Sequence, residues 1–334
     1  MMGESLYVPK DDDLNCSNID TLMKKYYLPV AYGIIFIVGV VGNIIAITIY
    51  VAKMRPWKSS SIIMLNLAIA DLLYVLTLPI FVSYYGNSDS WTLGEFMCKF
   101  VRFAFHLNLY GSILLLTCLS IFRYIVVVHP LRAAKVQNKT WGMLACFIVW
   151  FILAMEIIPM LPMFRVIEKN ETFTCLDFAS NDPATIWWYG WLLTVLGYLV
   201  PLVIVSMCYI SIVRVLASGP HMQSAYRVRA RRITVVILLV FILCFLPYHI
   251  LRTLRVDSQQ RKVGCLYMKN IHAAYIISRP MAGMNTFFNL GLYTLAGDQF
   301  QQAFLSLFHC RRCFSHPKSS VNMAVIENTA SSCR

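Results

Sequence analysis

Residues 26–52 read YYLPVAYGIIFIVGVVGNIIAITIYVA, an apolar stretch that contains no Asp, Glu, Lys, Arg or His. A helix of about 20 apolar residues crosses the roughly 30 Å hydrocarbon layer of a membrane. Inside that layer a helix satisfies its own backbone hydrogen bonds, whereas a lipid-exposed irregular segment does not. The stretch is therefore predicted to be a transmembrane helix.

Six further apolar stretches follow along the 334-residue chain, and each contains at most two Asp, Glu, Lys, Arg or His side chains: residues 59–88, 103–122, 140–164, 183–213, 233–251 and 270–297. The chain lacks the alternating segments of about ten residues that a membrane β-barrel requires. The predicted fold class is all-α: a seven-transmembrane helix bundle over residues 26–297, with a short amphipathic eighth helix at 298–309. Residues 1–25 are predicted to be extracellular and residues 310–334 cytoplasmic. The spans are predicted at about residues 26–53, 60–86, 97–128, 140–164, 186–214, 228–256 and 269–295.

The composition and the distribution of charge both agree with a membrane protein. Hydrophobic residues make up 58% of the chain and charged residues 13%, which is too little polar surface for a soluble domain of this length. The net charge of +13 is concentrated in short segments between spans. Such segments favour the cytoplasmic side, so the N-terminus is predicted outside, and nucleic-acid binding is disfavoured. The basic residues are Lys53, Arg55, Lys58, Arg132, Lys135, Lys139, Arg227, Arg229, Arg231 and Arg232.

The extracellular parts of this topology carry several candidate modification sites. Residues 1–25 contain no apolar core, so the first span rather than a cleaved signal peptide is expected to direct insertion. Four cysteines are predicted on the outer side, where disulfides persist, and they allow three pairings. The outer cysteines are Cys16, Cys98, Cys175 and Cys265, the glycosylation sequons begin at Asn15 and Asn170, and the tail cysteines Cys310 and Cys313 are candidates for palmitoylation or free thiols.

Short motifs on successive spans resemble the rhodopsin-like G-protein-coupled receptors over about residues 26–309. The resemblance implies a heterotrimeric G protein as partner, arrestin as a further one, a resting-state sodium site and a switch at the cytoplasmic end. The motifs are Gly42-Asn43, Asn66-Leu67-Ala68-x-x-Asp71, Cys98, Phe122-Arg123-Tyr124, Trp150, Pro201 with Tyr209, Phe241-x-x-Cys244-Phe245-Leu246-Pro247-Tyr248, and Asn289-Leu290-x-x-Tyr293. The implied sodium site is Asp71, Asn108, Ser112, Asn285 and Asn289, and the implied switch residues are Arg123, Tyr124, Tyr209 and Tyr293.

Three positions depart from the family pattern. Phe122 replaces the acid that usually precedes Arg123, and Phe245 replaces the Trp common in the sixth span. Leu290 replaces the Pro usual near the end of the seventh span, so the helix is expected to be less kinked there.

Within the class, the chain resembles the δ-branch, near the purinergic nucleotide receptors. The pattern His249-Ile250-Leu251-Arg252 carries this resemblance, which implies the disulfides Cys98–Cys175 and Cys16–Cys265. Residues 54–60, 105–110 and 274–280 are similar to receptors for 2-oxoglutarate, whereas residues 156–159 and 177–180 are more similar to receptors for succinate. The resemblance therefore implies 2-oxoglutarate as the first candidate ligand, succinate as the second, and a nucleotide or cysteinyl leukotriene as the third. Similar receptors signal mainly through phospholipase C and calcium.

A cluster of Arg and His in the outer half of three spans predicts an anion site, because ionisable residues inside a membrane are costly and usually functional. The acids Asp177, Asp182 and Asp257 fall in loops, so these cations are expected to lack a carboxylate partner within the bundle. The planar fork of Arg holds a carboxylate or phosphate bidentately, which suits a small anionic ligand. The candidate residues are Arg102, His106, Tyr110, His249, Arg252, Arg255, Tyr275 and Arg279, whose helical spacing places those of each span on one face.

Four of these residues also allow a structural interpretation. Arg102 or Arg255 could extend to the lipid headgroups, and His106 or His249 could be hydrogen-bonded packing residues. An anion transporter would show internal repeats and charges at mid-membrane depth, whereas this sequence shows no internal repeat and its charges crowd toward one end of the spans. A channel would need a filter motif, a retinal pigment would need a Lys in the seventh span, and an enzyme would need a nucleophile beside a base. None of these patterns is present, so a receptor without a cofactor is predicted.

Overall fold

The computed structural model describes residues 22–169, 172–218, 224–261, 264–295, 300–304 and 306. Within them, six helices are long and apolar enough to cross a membrane. A seventh follows in two segments, Cys265–Gly283 and Asn285–Leu295, which together we call α7. The first six are α1 (Met23–Ala52), α2 (Ser59–Gly86), α3 (Gly94–Val128), α4 (Lys139–Met163), α5 (Ala184–Ala217) and α6 (Arg231–Gln260). A short helix, Pro130–Val136, connects α3 to α4.

Prolines set the irregularities of the helices, because proline lacks a backbone N–H and its ring displaces the carbonyl one turn earlier. The wide turn Val195–Leu199 of α5 precedes Pro201, and the wide turn Phe241–Phe245 of α6 precedes Pro247. In α7 the two segments meet at Met284, one turn after Pro280. The segment Asn285–Leu295 runs unbroken through Leu290. The interruption of α7 at Met284 therefore lies before that position in the chain.

The helices enclose an apolar core that also contains buried polar and charged residues, and they leave other apolar faces exposed. Half or more of the most apolar window of α2, α3 and α6 is buried, but only 22% of that of α5 and 28% of that of α4. The exposed faces carry side chains such as Phe147, Phe151, Val203 and Met207, which suits contact with lipid. Close approach needs small residues: a Cβ at Gly142 of α4 would lie 2.6 Å from the Cα of Ser59 in α2.

One end of the bundle is covered by an antiparallel hairpin of β1 (Val166–Lys169) and β2 (Thr172–Cys175), and we call this the hairpin end. A disulfide joins Cys175 to Cys98 at the start of α3, with 5.7 Å between the Cα atoms. The chain then turns into the bundle, where a short helix, Phe178–Ser180, is largely buried. The disulfide thus fixes where the segment after β2 enters the helix bundle.

Several sequence predictions fall outside the described residues and stay predictions. They are the sequons at Asn15 and Asn170, the partner Cys16 and the side chain of Cys265, the tail cysteines Cys310 and Cys313, the side chains of Arg227 and Arg229, and most of the amphipathic helix at 298–309.

Candidate functional site

Four arginines lie together inside the hairpin end of the bundle. Arg102 of α3 is 7% exposed, Arg252 of α6 is fully buried, Arg255 is 7% exposed, and Arg279 of α7 is 6% exposed. The alternative that Arg102 and Arg255 extend outward to lipid headgroups is therefore wrong. Both side chains turn inward because each finds a hydrogen-bond acceptor there: Arg102 donates to the Cys175 carbonyl at 2.8 Å, and Arg255 donates to Ser180 Oγ at 3.2 Å.

The expectation that these cations lack a carboxylate partner is wrong for Arg279. Asp177, which follows the disulfide cysteine by two residues, enters the bundle and is only 5% exposed. Arg279 forms an ion pair with its Oδ2, and Tyr275 donates to the same oxygen at 3.2 Å. Arg279 also donates to the Tyr85 hydroxyl of α2 at 2.9 Å. The sequence feature that could have indicated the burial of Asp177 is the spacing Cys175-x-Asp177, because a disulfide to α3 holds the next residues close to the helices.

The surrounding arginines keep the Asp177 carboxylate ionised. Burial alone would raise its pKa, but the guanidinium groups of Arg279, Arg255 and Arg102 outweigh burial and hold the pKa well below its usual range. The Ser180 hydroxyl donates to the other carboxylate oxygen. Asp177 therefore carries its negative charge throughout the physiological range of pH. Over that whole range it neutralises part of the positive charge of the cationic cluster.

Arg252 has a different environment from Arg279. Its guanidinium group donates to the hydroxyl of Tyr110 on α3, to Thr194 Oγ1 on α5 at 3.0 Å, and to the Gly190 carbonyl at 3.3 Å. Its central carbon lies 5.6 Å from the ring centroids of Phe178 and Tyr248. Among the residues that the structure describes, no carboxylate lies within ion-pair distance of this group. Arg252 is therefore a fully buried cation with neutral partners only.

The two candidate histidines are anchored in the same way. His106 Nδ1 is 2.8 Å from the Arg102 carbonyl, and His249 Nδ1 is 2.8 Å from the Phe245 carbonyl. A carbonyl oxygen only accepts, so each Nδ1 carries the hydrogen. The Nε2 atom of each ring is buried and has no hydrogen-bond partner within the described parts of the chain. Each histidine is thus held by a hydrogen bond through Nδ1, whereas its buried Nε2 has no partner among the described residues.

Deeper in the bundle, Asp71 of α2 is completely buried. Its two carboxylate oxygens accept hydrogen bonds from Asn108 at 2.6 Å and from Asn289 at 2.9 Å. The oxygens Ser112 Oγ and Asn289 Oδ1 have no partner in the described structure, nor does the amide nitrogen of Asn285. One carboxylate with nearby amide and hydroxyl oxygens is a donor set that suits a hard cation of low charge.

The four predicted switch residues lie in α3, α5 and α7, in the half of the bundle away from the hairpin. The Tyr124 hydroxyl is 3.3 Å from His129 Nε2, at the C-terminal end of α3. Tyr293 is 1% exposed and packs edge-on against the ring of Tyr50, with centroids 5.8 Å apart. Arg123 and Tyr209 are half-buried at the same end. The four residues therefore lie at one end of the bundle, although Phe122 occupies the position of the acid that usually precedes the arginine.

The sequence interpretation missed residues that complete the cationic cluster. Tyr85, Thr194 and Ser180 are uncharged residues in apolar or loop segments, and nothing in their spacing indicates that they hold an arginine. They lie beside the cluster because α2, α5 and the segment after β2 converge there. The site is therefore a buried, partly neutralised cationic cluster inside a seven-helix bundle.

This fold and site define a seven-helix membrane receptor. Residues 42–293 match the family described as 7 transmembrane receptor (rhodopsin family). The chain is 48% identical over 298 residues to 2-oxoglutarate receptor 1 of Rattus norvegicus, covering 89% of this chain and 88% of that protein, and 47% identical to the same receptor of Mus musculus. It is 39% identical to a purinoceptor of Cavia porcellus, over 86% of this chain and 78% of that protein.

The chain belongs to the rhodopsin family of seven-transmembrane receptors. It is accordingly a multi-pass membrane protein and not an enzyme. Membership in this family implies a small-molecule ligand on one side of the membrane and a G protein on the other.

Proposed function

We propose that this protein is a plasma-membrane receptor for a small dicarboxylate, 2-oxoglutarate, with its N-terminus and hairpin end outside the cell. Ligand binding activates a heterotrimeric G protein at the opposite end, mainly through the phospholipase C and calcium branch, and arrestin is a further partner. The observation that carries the proposal is the pairing pattern of the arginines. Among the described residues, three of the four buried guanidinium groups surround the ionised carboxylate of Asp177, and the fourth, that of Arg252, has neutral partners.

The charge pattern supports a ligand with two negative ends. Arg252 lies among neutral partners near α5, whereas Arg102, Arg255 and Arg279 surround Asp177 near α7. One carboxylate of a ligand would bind Arg252, and the other would bind the arginines that share Asp177. Buried guanidinium groups favour such bidentate carboxylate contacts. The 48% identity to a protein named 2-oxoglutarate receptor 1 supports the same ligand.

Succinate and nucleotides are the alternative ligands. Succinate also carries two carboxylates, but its chain is one carbon shorter and lacks the keto oxygen. A nucleotide is favoured by the 39% identity to the purinoceptor, because phosphate binds the same guanidinium groups. A cysteinyl leukotriene would bring carboxylates on a much larger apolar body.

A calcium-release assay on transfected cells tests the ligand assignment. We expect 2-oxoglutarate to give the most potent response, succinate a weaker one, and ADP and a cysteinyl leukotriene little or none. The physical reason is that both carboxylates must reach separate arginines. Untransfected cells are the control, and an epitope on the N-terminus stained without permeabilisation checks the proposed orientation. A response to the nucleotide alone would overturn the dicarboxylate assignment.

We further propose that a sodium ion binds beside Asp71 in the resting state, with Asn108, Ser112, Asn285 and Asn289 around it. The support is the oxygen-rich donor set and the buried Ser112 and Asn289 oxygens that lack partners in the described structure. In receptor-containing membranes, replacing sodium by choline should raise agonist potency in the wild type, because the ion favours the resting state.

The variant Asp71→Asn tests the sodium site directly. It removes the only charge in this donor set, so agonist potency should become independent of sodium, while Ser112→Ala should only reduce the dependence. Potency is measured as agonist-stimulated guanine-nucleotide exchange in both salts. An equal sodium effect in wild type and Asp71→Asn would rule this site out.

A further inference from the structure

Two buried histidines, one on α3 and one on α6, pack against the ring of Tyr110. His106 on α3 is 2% exposed and His249 on α6 is fully buried. Their ring centroids lie 6.4 Å and 5.8 Å from that of Tyr110, whose hydroxyl accepts from Arg252. In each ring Nδ1 is committed to a backbone carbonyl, and Nε2 has no partner in the described part of the chain. A buried polar atom without a hydrogen-bond partner is costly in free energy, so these two nitrogens are candidate ligand contacts.

The chemistry of these nitrogens restricts what binds them. With Nδ1 holding the hydrogen, the Nε2 of a neutral imidazole is a hydrogen-bond acceptor. A carboxylate is also an acceptor, so a neutral histidine and a ligand carboxylate repel each other at this position. Adding a proton to Nε2 turns it into a charged donor, which is the partner that a carboxylate prefers. The two histidines therefore suit an anion only when a proton accompanies it.

The charged groups around the rings oppose that proton in the absence of ligand. His106 lies one turn from Arg102 and packs against Phe164, and His249 lies three residues from Arg252 and stacks on Tyr198 of α5. The other titratable groups facing the pair are Tyr110 and Tyr248, Tyr275 of α7, Asp177, and Glu156 of α4 beyond Tyr110. Asp177, the carboxylate in this set that faces the cluster, is already paired with Arg279.

We propose that the receptor binds its dianionic ligand together with one proton, which resides on the Nε2 of His106 or His249. This inference rests on the proposed function, since it requires an anionic agonist. While the site lacks an anion, burial and the neighbouring guanidinium groups of Arg102 and Arg252 make a further positive charge on either ring costly. The ligand's negative charge reverses that balance, so the complex holds one more proton than the free receptor.

The sign and size of the effect follow from linkage. The state that binds more protons is favoured as pH falls, so agonist potency rises with acidity. Uptake of one proton gives about a tenfold change in potency per pH unit where uptake is complete. The ligand's carboxylates stay ionised near neutral pH, and so does Asp177, so neither produces this slope.

The test is a series of 2-oxoglutarate concentration–response curves at extracellular pH from about 6 to about 8, the range in which histidine titrates. Wild type should gain about tenfold in potency per pH unit over part of this range, and the double variant His106→Asn/His249→Asn less than about twofold. Asn is chosen because its amide nitrogen can keep the bond that Nδ1 makes to the backbone. Surface staining of each variant separates loss of folding from loss of the slope.

Two matched variants remove the other groups that could titrate nearby, Glu156→Gln and His272→Asn. Both should keep the wild-type slope. The proposal would be overturned if wild-type potency did not change with pH. It would also be overturned if the pH dependence disappeared in either matched variant but survived in the histidine double variant. Both outcomes would leave the anionic agonist in place. Absence of a response to 2-oxoglutarate at every pH would instead refute the proposed function, so the two failures are distinguishable.

Discussion

Cells that express Arg252→Ala should lose the calcium response to 2-oxoglutarate while the receptor remains at their surface. We expect a fall in potency of about 100-fold or more, because removing one partner of a buried, hydrogen-bonded charge pair costs several kcal/mol. Arg252 has no carboxylate of its own among the described residues, so its charge is free to act on the ligand. The measurement is a concentration–response curve normalised to surface staining.

Three further variants define what Arg252 contributes. Arg252→Lys keeps the charge but not the planar fork, so it should recover only part of the lost potency. Tyr110→Phe removes one hydrogen-bond partner of Arg252 and should have a smaller effect than Arg252→Ala. Arg165→Ala is the matched control, because this arginine is exposed beside the hairpin and should give a wild-type curve. Wild-type potency in Arg252→Ala would contradict the assignment of the anion site.

Arg279→Ala should abolish the agonist response and also lower surface expression. The variant leaves Asp177 as a buried carboxylate without its main partner, and breaking such a pair costs about 3–5 kcal/mol of folding stability. The double variant Asp177→Ala/Arg279→Ala removes both charges together. It should therefore recover surface expression, but not the response to 2-oxoglutarate, because the ligand still lacks Arg279.

This double-variant experiment separates two roles of one arginine. Surface staining reports the structural role of the ion pair, and the concentration–response curve reports ligand binding. Asp177→Ala alone supplies the fourth corner of the cycle and should lower surface expression less than Arg279→Ala, since Arg279 keeps its hydrogen bond to the Tyr85 hydroxyl. Recovery of both expression and agonist response in the double variant would show that Arg279 has no direct contact with the ligand.

The spans and the helical positions of the cationic residues could be predicted from sequence because both depend on local pattern. A long apolar stretch dictates a membrane helix, and a spacing of three or four residues dictates a shared face. This reasoning places Arg102 beside His106 and His249 beside Arg252, as the structure has them. It required no knowledge of how one helix packs on another.

The pairing of Arg279 with Asp177 could not be predicted in that way. The depth of a loop residue depends on where its ends are held, here by the disulfide to α3 and by the hairpin. The same limit applies to Tyr85 and Thr194, which belong to the cluster only because of helix packing. The break of α7 at Met284 is a third case, because it follows Pro280, whereas the departure visible in the sequence pattern is the missing proline at position 290.

The hydrogen bonds of Arg252 have a consequence for how tightly this receptor can hold an agonist. Thr194 and Gly190 on α5, and Tyr110 on α3, already occupy this guanidinium group before any ligand arrives. An agonist carboxylate that takes the place of one of these neutral partners therefore gains only the difference between the two interactions, although that difference includes the attraction between opposite charges. The affinity for an agonist is therefore expected to be lower than the number of buried arginines alone would suggest.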